Sequence, residues 1–184
     1  MPEREIDRYF RKLPRINKRR LRELKTNISR GLHIDDLEGD GTQKRILVAD
    51  LAQTIYFAAP FFGLKDPQVR LGTGVLVGKL TYLAYTDHTK QEPNIVFALP
   101  YIRAQMDKAV NDDTLPFVIH SPIVLAAHEL RHASQFVTNP IQLAEDLRDA
   151  NYDADRWNST ASELDARSFG IDFANQLSRR RPLG

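Results

Sequence analysis

One stretch, residues 121–137 ("SPIVLAAHELRHASQFV"), constrains the fold of this chain more than any other. Ser121 suits a helix N-cap and Pro122 suits the first turn that follows it. Apolar residues then recur at spacings of three and four, which is typical of a helix that buries one face: Ile123, Ala126, Leu130, Ala133 and Val137. The stretch therefore predicts a well-started helix packed against a hydrophobic core.

A second face of this helix carries two histidines, His128 and His132, one turn apart. At that spacing both imidazoles can direct a nitrogen at one metal ion. Glu129 lies about 100° further round the helix than His128, beside such an ion. There it can take a proton from a water whose pKa the metal lowers to about 7. This HExxH pattern predicts zinc ligands at His128 and His132 and a general base at Glu129; the alternative is a polar helix face.

A catalytic zinc site needs a third protein ligand. The chain has no cysteine, so that ligand is a His, Asp or Glu. Glu163, in "SELDARSFG", begins a second predicted helix with small residues on the same face, which would let it lie close to the histidine helix: Ala166, Gly170 and Ala174. We therefore predict Glu163 as the third ligand.

Other roles remain open for this second helix. Glu163 has the spacing of a capping-box acid with Thr160 and of an ion pair with Arg167, four residues on. Asp165 lies about 200° from Glu163 round the helix, so the two cannot both ligate through one face. We predict Asp165 as an alternative ligand or as a group that supports a ligand.

The ends of the chain differ in charge. Residues 1–30 hold 11 Lys or Arg and 4 Asp or Glu, whereas the rest holds 15 and 20. The Gly/Asp-rich segment 31–43 is typical of a linker, so we predict a basic helical N-terminal extension and linker (1–43) and a main domain (44–184). The basic arm suits nucleic acid or another anionic partner. Because the arm has few aromatics and no recognisable DNA-binding motif, we favour a helix that is solvated or docks on its own domain.

The main domain is expected to mix helices and strands. Short β-branched or aromatic runs bounded by Gly, Pro or Asp predict strands at 67–72, 79–86 and 94–100, and helices are predicted at 44–60, 101–110 and 160–177. No apolar run approaches the roughly 18 residues of a membrane span. The charged N-terminus is unlike a secretory signal. We expect a cytoplasmic protein with no membrane association.

The two segments "AAHELRHASQF" and "SELDARSFG", in this order, resemble the glutamate-ligand (gluzincin) branch of the zincin metallopeptidases, over residues 44–178. The resemblance implies an α+β zincin-like fold, with a small mixed sheet packed on an active-site helix and a glutamate helix. It also implies a Zn²⁺-dependent metallopeptidase that hydrolyses a peptide or protein substrate.

By the same resemblance, the last strand before the motif would be an edge that pairs with extended substrate, through Asn94, Ile95, Val96 and Phe97. The chain departs from many relatives at Arg131, where they have Gly, and at Arg167, where they have an Asp that supports a ligand. The alternative function is a catalytically weak or inactive zincin-like metal-binding or regulatory module whose basic arm binds a partner or nucleic acid.

Overall fold

A computed structural model describes most of the helical part of the chain and short pieces of the rest. The described residues are 4–13, 15–32, 41–64, 67–71, 76–77, 80–81, 84–87, 94–97, 121–151 and 153–180. The helix predicted at 101–110 lies outside these ranges.

The helices predicted at 44–60, 121–137 and 160–177 are present, each with its bounds shifted by at most three residues. The described helices are α1 (Glu5–Lys12), α2 (Lys18–Gly31), α3 (Gly41–Phe61), α4 (Pro122–Thr138), α5 (Pro140–Ala150), α6 (Ala154–Asn158) and α7 (Ala161–Arg180). Among the described helices, none combines the length and apolar character that crossing a lipid bilayer requires.

The described strands are two to four residues long. They are β1 (Gln68–Leu71), β2 (Leu76–Val77), β3 (Leu80–Thr81), β4 (Ala84–Asp87) and β5 (Asn94–Phe97). β5 pairs with β1 in parallel and with β4 in antiparallel orientation, and β2 pairs with β3. β5 therefore has a neighbour on each side. The prediction that this strand is a free edge for a substrate is wrong, because β5 is paired with β1 on one side and with β4 on the other. The residues concerned are Asn94, Ile95, Val96 and Phe97.

The predicted α+β class is also wrong, because the described chain is mostly helical. The described hydrophobic core comes from α1, α2, α3, α4 and α7, together with Leu32 and the strand residue Val69. Helices of up to 21 residues bury long apolar faces on one another, whereas strands this short have little surface to offer. The short β-branched runs correctly predicted extended segments. The strands they form contribute only Val69 to the described core, whereas the predicted zincin-like fold would pack a sheet against its helices.

The basic N-terminal segment is docked on its own chain, one of the two alternatives favoured from sequence. Its apolar side chains lie in the same buried cluster as Leu51 of α3 and Phe173 of α7: Ile6, Phe10, Leu24 and Ile28. The Tyr9 hydroxyl donates to the Phe57 carbonyl at 2.9 Å. The boundary predicted at 31–43 stays a prediction, but residues on both sides of it share one core.

Helices α4 and α7 lie in close contact, which decides where the site forms. Gly170 of α7 faces α4, and a Cβ added there would lie 2.8 Å from the Val124 carbonyl oxygen. Ala166, one turn earlier on α7, is fully buried. The predicted small-residue face is therefore what allows the two helices to approach this closely. On α4 the apolar stripe is half-buried at Ile123 and fully buried in its middle, whereas Val137 at its end is 69% exposed.

Candidate metal centre

The two histidines of α4 meet at the tips of their rings. Pro122 starts the helix, with Ser121 in the N-cap position, and His128 and His132 follow on consecutive turns. Their Nε2 atoms lie 3.0 Å apart. Both side chains are largely buried, with 15% of His128 and 10% of His132 exposed. One helix thus brings two imidazole nitrogens to one point.

Glu163 completes the cluster from the first turn of α7. Thr160 caps this turn, because its hydroxyl oxygen accepts from the Glu163 amide at 3.3 Å. The backbone amide of Ser162, one residue before Glu163, donates to the Asp146 carboxylate of α5 at 2.9 Å. Held in this way, Glu163 places Oε2 at 3.3 Å from His128 Nε2 and 3.2 Å from His132 Nε2.

The spacing of these three atoms suits a tetrahedral zinc ion. Ligand atoms at 2.0–2.1 Å from a tetrahedral centre lie about 3.3–3.4 Å from one another. The separations here are 3.0, 3.2 and 3.3 Å. His128, His132 and Glu163 form the group of possible metal ligands found among the described residues. Three protein ligands would leave a fourth position for water or substrate.

The charges at the cluster favour a cation at its centre. Burial alone would raise the pKa of Glu163, but hydrogen bonds and charge from His128 and His132 outweigh it and lower that pKa well below its usual value. Burial would lower the pKa of His132, but Glu163 and the charge of Glu129 outweigh it and raise that pKa. Either a proton or a metal ion can supply this positive charge, because protons and metal ions compete for the same ligand atoms.

Of the two other roles predicted for Glu163, the ion pair with Arg167 is present, and the capping box is present only in its Thr160 half, since the Thr160 amide donates to the Trp157 carbonyl. Thr160 caps the helix, and Arg167 donates to Oε1 of Glu163 at 3.1 Å. Since Oε2 is the atom that faces the histidines, the ion pair and the ligand role use different oxygens. The roles that were alternatives in the sequence are compatible in the structure.

Asp165 lies away from the ligand atoms and supports them through another residue. Its Oδ2 accepts from Arg131 Nε at 2.6 Å and from Gln135 Nε2 at 2.8 Å. The other end of the Gln135 amide, Oε1, lies 2.8 Å from His132 Nδ1. Of the two roles predicted for Asp165, the structure shows the supporting one. Arg131, a departure from the family pattern, is the partner of this same carboxylate.

Glu129 is buried beside the histidines. It is 5% exposed, and its charge contributes to the raised pKa of His132. Its burial and its position next to His128 in the chain are compatible with the predicted role of general base.

Sequence reasoning missed two residues of the site. Gln135 was given no role, although it stands three residues after His132 on the same face of the helix, within reach of that ring. Trp157 of α6 packs against the His132 ring with 5.7 Å between ring centroids, and no sequence signal marked it. Three further residues, Tyr152, Arg156 and His120, are candidates from the sequence for stabilising a transition state; Arg156 is exposed, and the other two lie outside the described residues.

Comparison of the chain with models of protein families, with curated proteins and with solved structures found no match. The candidate metal centre therefore rests on the geometry and chemistry of the residues described above.

Proposed function

We propose that the protein is a zinc-dependent hydrolase of peptide bonds. The observation that carries the proposal is the convergence of His128 Nε2, His132 Nε2 and Glu163 Oε2 within 3.3 Å of one another, with Glu129 buried next to them. Two imidazoles and one carboxylate form a ligand set found in zinc peptidases such as thermolysin.

When bound, Zn²⁺ would polarise the scissile carbonyl and make water acidic enough to attack it near neutral pH. The chain's own residues divide the remaining work. His128, His132 and Glu163 hold the ion. The Glu129 carboxylate accepts a proton from the attacking water and then delivers it to the amine that leaves. Burial of Glu129 helps, because bulk water does not compete for that proton.

A metal-binding module without hydrolysis is the second candidate. The observation that favours it is the burial of the ligands, since structural zinc sites are closed and catalytic sites keep an open position. The exposed fractions of the His128, His132 and Glu163 side chains are 15%, 10% and 8%. Access for an extended peptide is therefore the property that separates the two candidates.

The test uses the full chain and one isosteric variant. We would measure the zinc content of the wild type and of Glu129→Gln, and then assay both against a mixed peptide library. The proposal expects one zinc per chain in both proteins and a loss of cleavage of about 100-fold or more in the variant. Glu145→Gln, an exposed carboxylate on α5, is the matched control and should cleave like the wild type.

The outcomes separate the candidates. Zinc binding without cleavage by the wild type would support the metal-binding module. A wild type that takes up no zinc, even when zinc is added, would overturn both. Cleavage that survives Glu129→Gln would remove Glu129 from the proposed mechanism.

A further inference from the structure

We propose that Gln135 is a positioning residue of the metal centre: its amide fixes His132 as the tautomer that carries its proton on Nδ1, so that the Nε2 lone pair faces Glu163. The inference deepens the proposed function and rests on it for the identity of the ion. Three contacts of one buried side chain carry it.

The orientation of the Gln135 amide follows from its partners. Its Nε2 lies 2.9 Å from the Ser162 carbonyl oxygen and 2.8 Å from Asp165 Oδ2. Both partners are acceptors, so the amide nitrogen, which carries two hydrogens, must be the atom on that side. A flipped amide would set its oxygen against two other oxygens in a buried place. Oε1 of Gln135 therefore faces His132.

The tautomer of His132 follows from that orientation. Oε1 of Gln135 can only accept, and it lies 2.8 Å from His132 Nδ1. Nδ1 must then carry the hydrogen, and in the neutral ring Nε2 is left with a lone pair. This Nε2 is the atom that lies 3.2 Å from Glu163 Oε2. The contact thus selects the nitrogen through which His132 can bind a metal.

Asp165 and Arg131 keep the amide in place from outside the cluster. Asp165 Oδ2 also accepts from Arg131 Nε at 2.6 Å. A carboxylate paired with a guanidinium offers acceptor oxygens, as the Gln135 amide requires. Arg131, one residue before His132, would then serve the site through a chain of contacts that ends at the ring.

Gln135 also links the two helices that supply ligands. Its amide belongs to α4, and the carbonyl to which it donates, that of Ser162, belongs to the residue before Glu163. The same side chain therefore orients one ligand and ties down the backbone next to another. A residue that only filled space would do neither.

The tautomer can be read directly by NMR in the wild type, which avoids any variant that fails to fold. The full chain, isotope-labelled at histidine nitrogens, is measured as purified and at an alkaline pH at which the ring is neutral. His132→Gln assigns the signal. In the neutral ring at alkaline pH we expect a hydrogen on Nδ1 of His132 and none on Nε2. A neutral ring with its hydrogen on Nε2 would overturn the inference.

Zinc affinity gives a second, separate measurement. Gln135→Met keeps the length of the side chain and removes the amide, and we expect it to weaken zinc binding by about 10–100-fold, as loss of a group that supports a metal ligand does. The matched control is Gln176→Met, because Gln176 of α7 donates to the Asp7 carboxylate far along the same helix; it should bind zinc like the wild type.

Equal affinity in Gln135→Met and the control would count against the positioning role. If the wild type binds no zinc, the proposed function fails, while the NMR result still decides the tautomer. The two failures are thereby distinguishable.

Discussion

Arg167 donates to Oε1 of Glu163 at 3.1 Å, on the opposite carboxylate oxygen from the one that faces His128 and His132. One buried carboxylate thus has a cation at one oxygen and the histidine pair at the other. This arrangement lets Arg167 pair with Glu163 without blocking the cluster.

Glu163→Gln should abolish tight zinc binding. The amide keeps the shape of the side chain but removes the negative charge. We expect affinity to fall by more than about 100-fold, since loss of a group that merely supports a ligand costs about 10–100-fold. Competition with a coloured chelator measures the change, with Glu145→Gln as the control. Unchanged affinity would show that Glu163 is not a ligand.

Arg167→Met should destabilise the metal-free protein. Glu163 is buried, and removing its partner leaves part of a charge uncompensated, which we expect to cost about 1–3 kcal/mol. Urea unfolding in the presence of a chelator measures this. Arg148→Met is the control, because Arg148 pairs with Asp149 on the exposed surface, where an ion pair contributes about 0–1 kcal/mol. Equal effects of the two variants would contradict the prediction.

Gly170→Ala should weaken both folding and zinc binding. The added Cβ would lie 2.8 Å from the Val124 carbonyl oxygen, so α7 must move away from α4. We expect a cost of about 1–3 kcal/mol from this overpacking, larger than the gain of about 1 kcal/mol from better helix propensity. Ser168→Ala, exposed on the same helix, should be neutral or stabilising. A more stable Gly170→Ala would refute the close approach.

Asp146 should make stability depend on acid pH. Burial acts to raise the pKa of Asp146, but hydrogen bonds from Ser162 and Gln142 outweigh it and lower that pKa. A lowered pKa in the folded state means that the stabilisation is present above the ordinary pKa of 3.8 and is lost as pH falls through the folded value. We expect Asp146→Asn to cost about 1–2 kcal/mol at pH 7.

The difference between Asp146→Asn and the wild type should shrink below about pH 4. Urea unfolding across this range measures it. Asp149→Asn, which changes an exposed carboxylate, should show no comparable dependence. A difference that stays constant down to the lowest pH would contradict the assignment.

The three side chains of the candidate metal centre could be grouped from sequence because two of them share one helix and small residues mark how the second helix approaches it. The spacing of His128 and His132 fixes their relation once α4 forms, and Gly170 marked the face on which α7 approaches. The bond between Thr160 and Glu163 was likewise a local signal. Residues three or four apart on a helix are neighbours whatever the rest of the chain does.

The fold class could not be predicted in the same way. Short β-branched segments marked strands but gave no indication of how little of the core those strands would supply. The docking of Phe10 beside Phe173, whose ring centroids lie 5.3 Å apart, depends on contacts across most of the chain. Pairing of β5 on both sides is also a non-local property, which no pattern within Asn94–Phe97 reveals.

The placement of the ligands on two helices has a consequence for the lifetime of the chain. His132 belongs to α4 and Glu163 to α7, and helices α5 and α6 come between them in the sequence. An ion held by both would act as a reversible cross-link that closes this loop and reduces the freedom of the unfolded chain. Scarce zinc would then leave the 140–158 segment easier for a cellular protease to open, so that the abundance of the protein would follow the supply of the metal.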